Sequence, residues 1–488
     1  MGTPPAADFE RIFHPKRLAI VGVSADGGYG FGSGILSACR AMGFEGEIFP
    51  VNPKGGTIDG LPISRSIDEI PGGLDFAVIT VPASAVPGAL EACRRKGAAG
   101  AEVVTAGFSE LGTAEGRALE ERVRAIASED FRILGPNCFG IYCPSSGVTL
   151  LPGPDLSRES GPVAFLAQSG GMAIDFANAG NWLGLRFSKV VSYGNGVDLR
   201  EDELLRYLAD DEETGVIAAY LEGVGDGGAF FEALETAAAR KPVVVLKGGT
   251  SEAGRRAAIG HTASMGGSRQ IWSGVLRQAH AVEVGDIDEL ARVCLAFSYL
   301  PARRFTAVSC VGGGGALAVA AGDAAEQHGI EIPALAGELR SRIEAILPRP
   351  GSSAANPIDV ANPFVPPETL AAVLRLAAED ERIELQVLVS LLYHYKSQAL
   401  TLGVRVTEIA PFEELASAVA GVVRDTGKPV VVVLPNQKRG RDDLDVVEML
   451  ADARRAFLER GLPVFDGIGE ALGAISRVNQ YHGWHRGP

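Results

Sequence analysis

Residues Pro162 to Ala173 read PVAFLAQSGGMA, and this stretch carries the pattern that decides the fold. Its first half is apolar throughout, which is typical of a strand buried on both faces of a parallel sheet. Its second half, from Gln168, is a turn rich in Ser and Gly that leads into a helical stretch. The same strand and turn recur as VGVSADGGYG from Val21 and as CVGGGGALA from Cys310. This recurrence predicts repeated strand, turn and helix units, and therefore the α/β class.

Further apolar runs alternate with Ala- and Leu-rich helical stretches on both sides of this unit. They include RLAIVGV, GEIFPV, FAVITV, AEVVTA, FSKVVSYG, VIAAYL, PVVVLKG, QVLVSLL and PVVVVLP. The alternation predicts doubly wound sheets, and breaks rich in Pro, Gly and charges at 151–162 and 298–305 divide them. A chain of 488 residues is long enough for three domains, which we place at 1–155, 156–300 and 301–488.

The composition narrows the classes of partner. Because the formal charge is −15, we expect neither nucleic acid nor an anionic membrane as the main partner. The first residues lack the apolar core of a secretory signal, and no apolar run approaches the length of a membrane span, which predicts a cytoplasmic protein. The six cysteines are dispersed without a CxxC pair, so neither disulfides nor a metal site is predicted.

Ligands of open α/β sheets bind beyond the carboxyl ends of the strands, so the three strand-to-helix turns are three candidate anion sites. The first turn begins at Gly22 and contains Ser24, but it lacks a strict GxGxxG, so NAD is an open ligand that the motif does not indicate. Later strands of the same domain end in VNPKGG, TVPAS, TAGF and GPNCFG. Lys54 in the first of these suits a phosphate, and four such turns predict the lip of a nucleotide pocket.

In the second domain, the opening stretch places Ser169, Gly170 and Gly171 at the start of a helix. Free N–H groups and the helix dipole at such a start can hold a dianion. Glu222 follows another predicted strand, in the run YLEG, and is a candidate carboxylate. A literal GxGxxG occurs at 223–228, and we interpret this loose pattern as a loop.

His261 lies in AAIGHTASMGGSRQIW, residues 257–272, among small, flexible and hydroxyl-bearing residues. A solvated loop histidine is the plain interpretation of such a segment. The chain contains no GxSxG elbow, no P-loop and no HExxH, so these motifs offer His261 neither a serine nor a metal. Nucleophilic use of the imidazole is the remaining catalytic role, and a carboxylate such as Glu222 nearby would fix its tautomer.

The order of these motifs resembles the NDP-forming acyl-CoA synthetases, the superfamily that includes the α subunit of succinyl-CoA synthetase. The resemblance runs through VGVS, VNPKGG, TVPAS, TAGF, GPNCFG, AQSGG, SYGNGVD, YLEG, PVVVLKGGTSEAG, GHTASMGG, GGGGALAVAAGDAAEQHG and NPIDV. It implies a Rossmann-like CoA-binding domain followed by two flavodoxin-like ligase domains. The implied reaction is reversible and passes through a phosphohistidine and an acyl phosphate: a carboxylic acid, CoA and ATP or GTP give acyl-CoA, NDP and phosphate.

The resemblance also implies roles for individual residues. His261 matches the phosphohistidine and Glu222 its carboxylate partner, while the helix start at 169–171 matches the segment that holds the phosphoryl group. Positions that match CoA contacts are Gly22, Ser24, Lys54, Val81, Pro82, Thr105 and Asn137. The loop reads His-Thr-Ala-Ser-Met where many relatives have His-Thr-Gly-Ser-Leu, so Ala263 stiffens it slightly and leaves the nucleophile in place.

No segment after the third domain reads as an ATP-grasp module, so we predict an α subunit alone. The resemblance then implies an ATP-grasp β subunit that binds ATP or GTP with Mg²⁺, and an α₂β₂ assembly or a homodimer of this chain. A non-catalytic sensor or scaffold that binds CoA or a dinucleotide is the alternative, favoured by the missing module and disfavoured by the presence of His261 and Glu222. The residues do not select among short aliphatic, dicarboxylic and aromatic acids.

Overall fold

The computed structural model describes residues 8–24, 30–149, 156–254 and 268–485. The chain divides into two compact units, residues 1–290 and 291–488. The described residues form three larger sheets, two in the first unit and one in the second. None of the described helices combines the length and the apolar character that crossing a bilayer requires.

The first sheet consists of parallel strands in the order β2-β1-β5-β6-β7. In chain order the elements are α1 (Phe9–Phe13), β1 (Arg17–Val21), α2 (Phe31–Met42), β2 (Glu47–Val51), the hairpin strands β3 (Thr57–Ile58) and β4 (Leu61–Pro62), β5 (Phe76–Ile79), α3 (Val86–Arg95), β6 (Gly100–Val103), α4 (Ala114–Arg124) and β7 (Arg132–Leu134). Leu18 and Ile20 of β1 belong to a core cluster with residues of α2, whereas Ala19 and Val21 belong to a cluster with residues of α3. Both faces of β1 are therefore buried, which explains its apolar sequence.

The second sheet has the order β14-β13-β12-β10-β11-β8-β9, with the strand of the opening stretch at its centre. Its elements are β8 (Gly140–Cys143), β9 (Val148–Thr149), β10 (Ser160–Ala167), α5 (Gly170–Leu183), β11 (Phe187–Ser192), α6 (Glu201–Asp210), β12 (Val216–Leu221), α7 (Gly227–Arg240), β13 (Val243–Lys247), α8 (Arg269–Gln278), β14 (Val282–Val284) and α9 (Ile287–Tyr299). Strands β10 to β14 are parallel to one another, which puts their carboxyl ends at one edge.

Strands β8 and β9 extend this second sheet, although they come from the part of the chain predicted as the first domain. β8 is antiparallel to β11, with Gly140 opposite Ser192, and β9 is antiparallel to β8. One core cluster accordingly contains buried residues from both sheets of the first unit. The domain limits at residues 155 and 300 stay predictions.

The third sheet lies in the second unit and is parallel, in the order β16-β15-β17-β18-β19. Its elements are β15 (Val308–Gly312), α10 (Gly315–Gln327), α11 (Gly337–Ile346), β16 (Ile358–Asp359), α12 (Pro367–Ala377), β17 (Leu385–Val389), α13 (Tyr395–Leu402), α14 (Phe412–Thr426), β18 (Val430–Val433), α15 (Leu444–Leu458), β19 (Val464–Phe465) and α16 (Ile468–Trp484). Three successive regions of helix and mainly parallel sheet confirm the predicted α/β class.

Candidate active site

The turn after β1 is packed so closely that only glycine fits at position 22. Gly22 has φ +110°, and a Cβ there would lie 2.4 Å from Oγ1 of Thr80, at the end of β5. The Thr80 hydroxyl donates a 2.9 Å hydrogen bond to the carbonyl of Val21. Beyond the glycine, the N–H of Ser24 donates to Oγ of Ser33 in α2, at 3.0 Å. The turn is thus fastened to both its strand and its helix.

Lys54 lies in the turn after β2 and is exposed. Its N–H donates a 2.9 Å hydrogen bond to Oδ1 of Asn52, and the Asn52 amide donates to the carbonyl of Val23. Asn52 therefore joins the lysine turn to the Gly22 turn, a positional role that the motif VNPKGG did not reveal. Gly22, Ser24 and Lys54 are not among the described residues that line a cavity formed by the other predicted CoA contacts in the first unit.

That cavity has a volume of about 690 Å³ and lies at the carboxyl ends of strands from both sheets of the first unit. Four residues predicted to contact CoA line it, namely Val81, Pro82, Thr105 and Asn137. The Thr105 hydroxyl donates a 2.7 Å hydrogen bond to the carbonyl of Val81, and the N–H of Asn137 donates to the carbonyl of Thr105 at 3.0 Å. The predicted residues are thus tied to one another as well as to the cavity.

The start of α5 lines the same cavity through Ser169, Gly170 and Gly171. Ser169 caps the helix, since its Oγ accepts a 3.4 Å hydrogen bond from the N–H of Met172. N–H groups in the first turn of a helix have no intrahelical partner, and no acidic residue lies in the first turn of α5. The arrangement suits an anion.

Asn195, in the loop after β11, also lines the cavity and links its two sides. Its Nδ2 donates to Glu110 Oε2 at 2.7 Å and to Glu120 Oε2 at 2.9 Å, while its Oδ1 accepts from Asn137 Nδ2 at 3.3 Å. Burial raises the pKa of Glu110, but hydrogen bonds from the Gly107 N–H and from Asn195 outweigh it, so the net pKa is lowered. Asn195 lies in the motif SYGNGVD, whose residue pattern does not indicate this role, since an amide has no spacing signature.

Glu222 follows β12 and is only 8 % exposed. The Tyr220 hydroxyl donates to its Oε1 at 3.1 Å, and Lys247 Nζ donates to its backbone carbonyl at 2.8 Å. Burial lowers the pKa of Lys247, and the charge of Glu222 opposes that shift. The carboxylate thus lies where β12 and β13 end. His261 lies outside the described residues.

Gln168 connects Glu222 to the cavity. Its Oε1 accepts from the N–H groups of Glu222 at 2.6 Å and of Gly223 at 3.0 Å, and the residue itself lines the cavity. Glu222 is not among the described residues that line the cavity. The helix start at 169–171 lines the cavity, and the Glu222 carboxylate lies beside it. Gln168 directly precedes Ser169 and is the bridge between them.

The literal glycine pattern at 223–228 falls on the loop after β12 and the first turn of α7. Asp226 caps that helix, and its Oδ1 accepts from the N–H groups of Gly228 at 2.8 Å and Ala229 at 3.0 Å. Because a protein carboxylate already uses these donors, the start of α7 does not suit a pyrophosphate. The loop interpretation holds for residues 223–226, whereas Gly228 lies in α7.

Side chains that bind metals are not clustered in the described ranges: no group of three or more His, Cys, Asp or Glu residues is placed to hold an ion. Cys138 lines the cavity, but burial raises the pKa of its thiol. A neutral buried thiol is a poor nucleophile and a poor metal ligand.

Three family models match the chain in succession: a CoA binding domain over residues 16–144, a succinyl-CoA ligase like flavodoxin domain over 160–297 and a ligase-CoA domain over 307–451. The α subunit of acetate–CoA ligase (ADP-forming) I from Pyrococcus furiosus is 32 % identical over 482 residues, which cover 97 % of this chain and 98 % of that one. The chain belongs to the family of ADP-forming acyl-CoA ligases. The predicted resemblance is thereby confirmed, as is a CoA-binding domain followed by a flavodoxin-like ligase domain and a further ligase domain.

Other members of the ADP-forming acyl-CoA ligase family show how the chain compares in structure and length. Acetyl-coenzyme A synthetase 1 of Ca. Korarchaeum cryptofilum, solved in complex with phosphate and ADP, superposes with a TM-score of 0.81 at 28 % identity and 97 % coverage of both chains. The acetate–CoA ligase (ADP-forming) of Methanocaldococcus jannaschii is 32 % identical over 360 residues, or 74 % of this chain but 50 % of its own length. The family therefore includes proteins longer than this chain as well as subunits of its size.

Proposed function

We propose that this chain is the α subunit of an acyl-CoA ligase that joins a carboxylic acid to CoA at the expense of ATP or GTP. The observation that carries the proposal is the cavity, because its lining combines Val81, Pro82, Thr105 and Asn137 with the helix start at 169–171. CoA would enter past the first four residues, and a phosphoryl group would lie against the helix N–H groups. Formation of a thioester from an acyl phosphate requires CoA and the phosphoryl group to lie close together in one cavity.

The proposed reaction begins with attack of a His261 nitrogen on the γ-phosphorus of the nucleotide, in which a P–N bond forms, the bond to the bridging oxygen breaks and NDP leaves. The carboxylate oxygen of the acid then attacks phosphorus, the P–N bond breaks and an acyl phosphate forms. Finally the CoA sulfur attacks the acyl carbon, the C–O bond to phosphate breaks and the thiol proton is released. Glu222 would fix the imidazole tautomer, and the N–H groups of Gly170 and Gly171 would stabilise phosphate charge at each step.

A partner subunit would supply the nucleotide. The relative from P. furiosus, which matches almost end to end, is named as a subunit alpha, and the M. jannaschii relative has about twice the matched length. Both facts favour an ATP-grasp β subunit that binds ATP or GTP with Mg²⁺ and docks on this chain. An α₂β₂ complex is the assembly we propose, with a homodimer for the chain on its own.

Phosphohistidine labelling tests the proposal. We expect the chain, mixed with an ATP-grasp subunit, Mg²⁺ and γ-labelled ATP, to acquire an acid-labile and base-stable phosphate, and the mixture to make thioester from acetate and CoA. His261→Asn should abolish both the label and the thioester. His280→Asn is the matched control, because His280 has φ +59°, which asparagine tolerates.

Two outcomes would contradict the proposal. Equal labelling of His261→Asn would remove the carrier role from this histidine. CoA binding without label or thioester, tested with several ATP-grasp subunits, would favour a non-catalytic CoA sensor.

A further inference from the structure

The cavity has two parts, one lined by the predicted CoA contacts and one by the helix start at 169–171, and Phe139 adjoins both. It comes two residues after Asn137 in the chain, and it lines the cavity together with Gly170 at the start of α5. A Cβ built on Gly170 would lie 2.0 Å from Cδ2 of the Phe139 ring and 2.8 Å from Cε2. The ring therefore lies directly against the helix start, with no room for a side chain between them.

The backbone around Phe139 is held on both sides. Its N–H donates a 3.2 Å hydrogen bond to Oγ of the buried Ser192, and the next residue, Gly140, is paired with Ser192 in the sheet. On the other side, Asn137 is tied to Thr105 and Asn195. A ring on so restrained a segment cannot easily move away from a ligand.

The burial of Phe139 separates it from an ordinary core aromatic. Phe165 and Phe176 in the same sheet region are fully buried, at 0 % exposure, whereas Phe139 is half-buried and faces the cavity. The next residue of the helix start, Gly171, has open space, since the nearest atom to a Cβ there is Ser169 Oγ at 3.8 Å. The ring thus packs against Gly170 and leaves Gly171 free.

We infer that Phe139 is a specificity-determining residue that limits the size of the acyl group to short aliphatic chains. The inference rests on the proposed function, in which CoA enters past Asn137 and a phosphoryl group lies at Gly170, so the acyl group is transferred within the cavity that these residues line. Phe139 follows Asn137 by two residues, lines the same cavity and lies against Gly170. A bulky acyl group would have to displace a ring whose backbone is held on both sides, so it would be rejected by steric exclusion rather than by charge.

Calorimetric titration of the full chain with CoA, acetyl-CoA and benzoyl-CoA tests the inference without a partner subunit. For wild type we expect acetyl-CoA to bind nearly as tightly as CoA, and benzoyl-CoA to bind about tenfold more weakly or worse, the scale of exclusion from a tight apolar pocket. Phe139→Ala should remove most of that discrimination. Phe139→Leu should show the same trend to a smaller degree and serves if the alanine variant does not fold.

Phe31→Ala is the matched control, because Phe31 also lines the cavity but lies at the start of α2, and it is 67 % exposed. It should change the affinities for CoA and both thioesters by one common factor and leave their ratio unaltered. If CoA binds wild type but neither Phe139 variant changes the ratio, the inference is wrong and the proposed function stands. If CoA itself does not bind, the proposed function fails and the inference falls with it.

Discussion

The helix starts of α5 and α10 follow the same sequence pattern, a buried strand and a glycine-rich turn. They differ in whether a protein carboxylate accepts hydrogen bonds from their backbone N–H groups. At α10, Oδ1 of Asp359 accepts from the N–H of the N-cap residue Gly314 at 2.8 Å, and it also accepts from the N–H of Ala361, in the loop after β16, at 2.8 Å. At α5, Gly170 and Gly171 line a cavity, and among the described residues no carboxylate accepts from them. Of these two predicted anion sites, one therefore has a protein carboxylate at its N-cap N–H, whereas the other lines a cavity and has none.

The difference teaches that a turn motif identifies donors but not their acceptor. Asp359 lies 45 residues after Gly314 and reaches the turn only because β16 pairs with β15. Predictions about these two helix starts, and about the buried carboxylate of Glu102, follow from this comparison.

Gly170→Ala should have the largest effect. The new methyl group would overlap the Phe139 ring, so we expect the free energy of unfolding to fall by about 3 kcal/mol, the upper range for an overpacked site. Denaturant unfolding measures the loss. Gly171→Ala is the control, with free space around the methyl group and no expected loss. The double variant Gly170→Ala, Phe139→Ala should recover most of the stability, and no recovery would mean that the ring is not the obstacle.

Asp359→Ala should rank second. It removes a charged acceptor from two backbone N–H groups, and we expect the second unit to lose about 2 kcal/mol of stability. Asp359→Asn keeps one acceptor oxygen and should cost less. If both variants unfold at the wild-type denaturant concentration, the carboxylate does not stabilise the start of α10.

Glu102 on β6 sharpens the comparison, because it is a buried carboxylate with incomplete pairing. Its Oε2 accepts a 3.2 Å hydrogen bond from the Ile141 N–H, whereas Oε1 has no partner within the described ranges and the residue is 0 % exposed. Burial raises the pKa of Glu102 well above its ordinary value of 4.5, with the Ile141 hydrogen bond opposing. The folded state therefore keeps a proton that the unfolded state loses, so stability falls as pH rises above 4.5.

Glu102→Gln should accordingly stabilise the protein, by about 1 kcal/mol at neutral pH, since the amide needs no proton to remain neutral. The gain over wild type should shrink towards zero as the pH falls to 4.5. Unfolding curves at several pH values measure it. A loss of stability at neutral pH, or a gain independent of pH, would contradict the assigned proton.

Ser169→Ala should have the smallest effect on stability. It removes the α5 cap, a long hydrogen bond at 3.4 Å, and we expect a loss of about 0.5–1 kcal/mol. CoA binding should change less than phosphate binding, because the serine lies at the helix start. An equal effect on both ligands would weaken the division of the cavity into two parts.

The sequence predicted the long elements of the fold better than the short ones. Apolar runs of five or more residues identified strands such as β10 and β15, whereas β16 and β19 contain two residues each and leave no periodicity to detect. The attachment of β8 to the second sheet depends on antiparallel pairing with β11, a contact between distant residues that no local pattern encodes.

In the candidate site, too, local motifs could be predicted from the sequence, whereas contacts between distant residues could not. Motifs at strand ends identified Thr105 and Asn137 on the first sheet and Ser169 on the second, because ligands of parallel sheets bind at the carboxyl ends of the strands. That both sets line one cavity was not predicted. Phe139 and Asn195 lie inside motifs that were recognised, but an aromatic ring and an amide become functional only through what they face. Their positions depend on packing between the two sheets of the first unit.

A crystal structure of the chain grown with CoA and inorganic phosphate is the most direct test of the cavity as the ligase site. We expect phosphate to accept hydrogen bonds from the N–H groups of Gly170 and Gly171, and the CoA sulfur to lie between Asn137 and Phe139. Phosphate at the start of α10 in place of α5, or CoA bound outside the cavity, would contradict the assignment of this site.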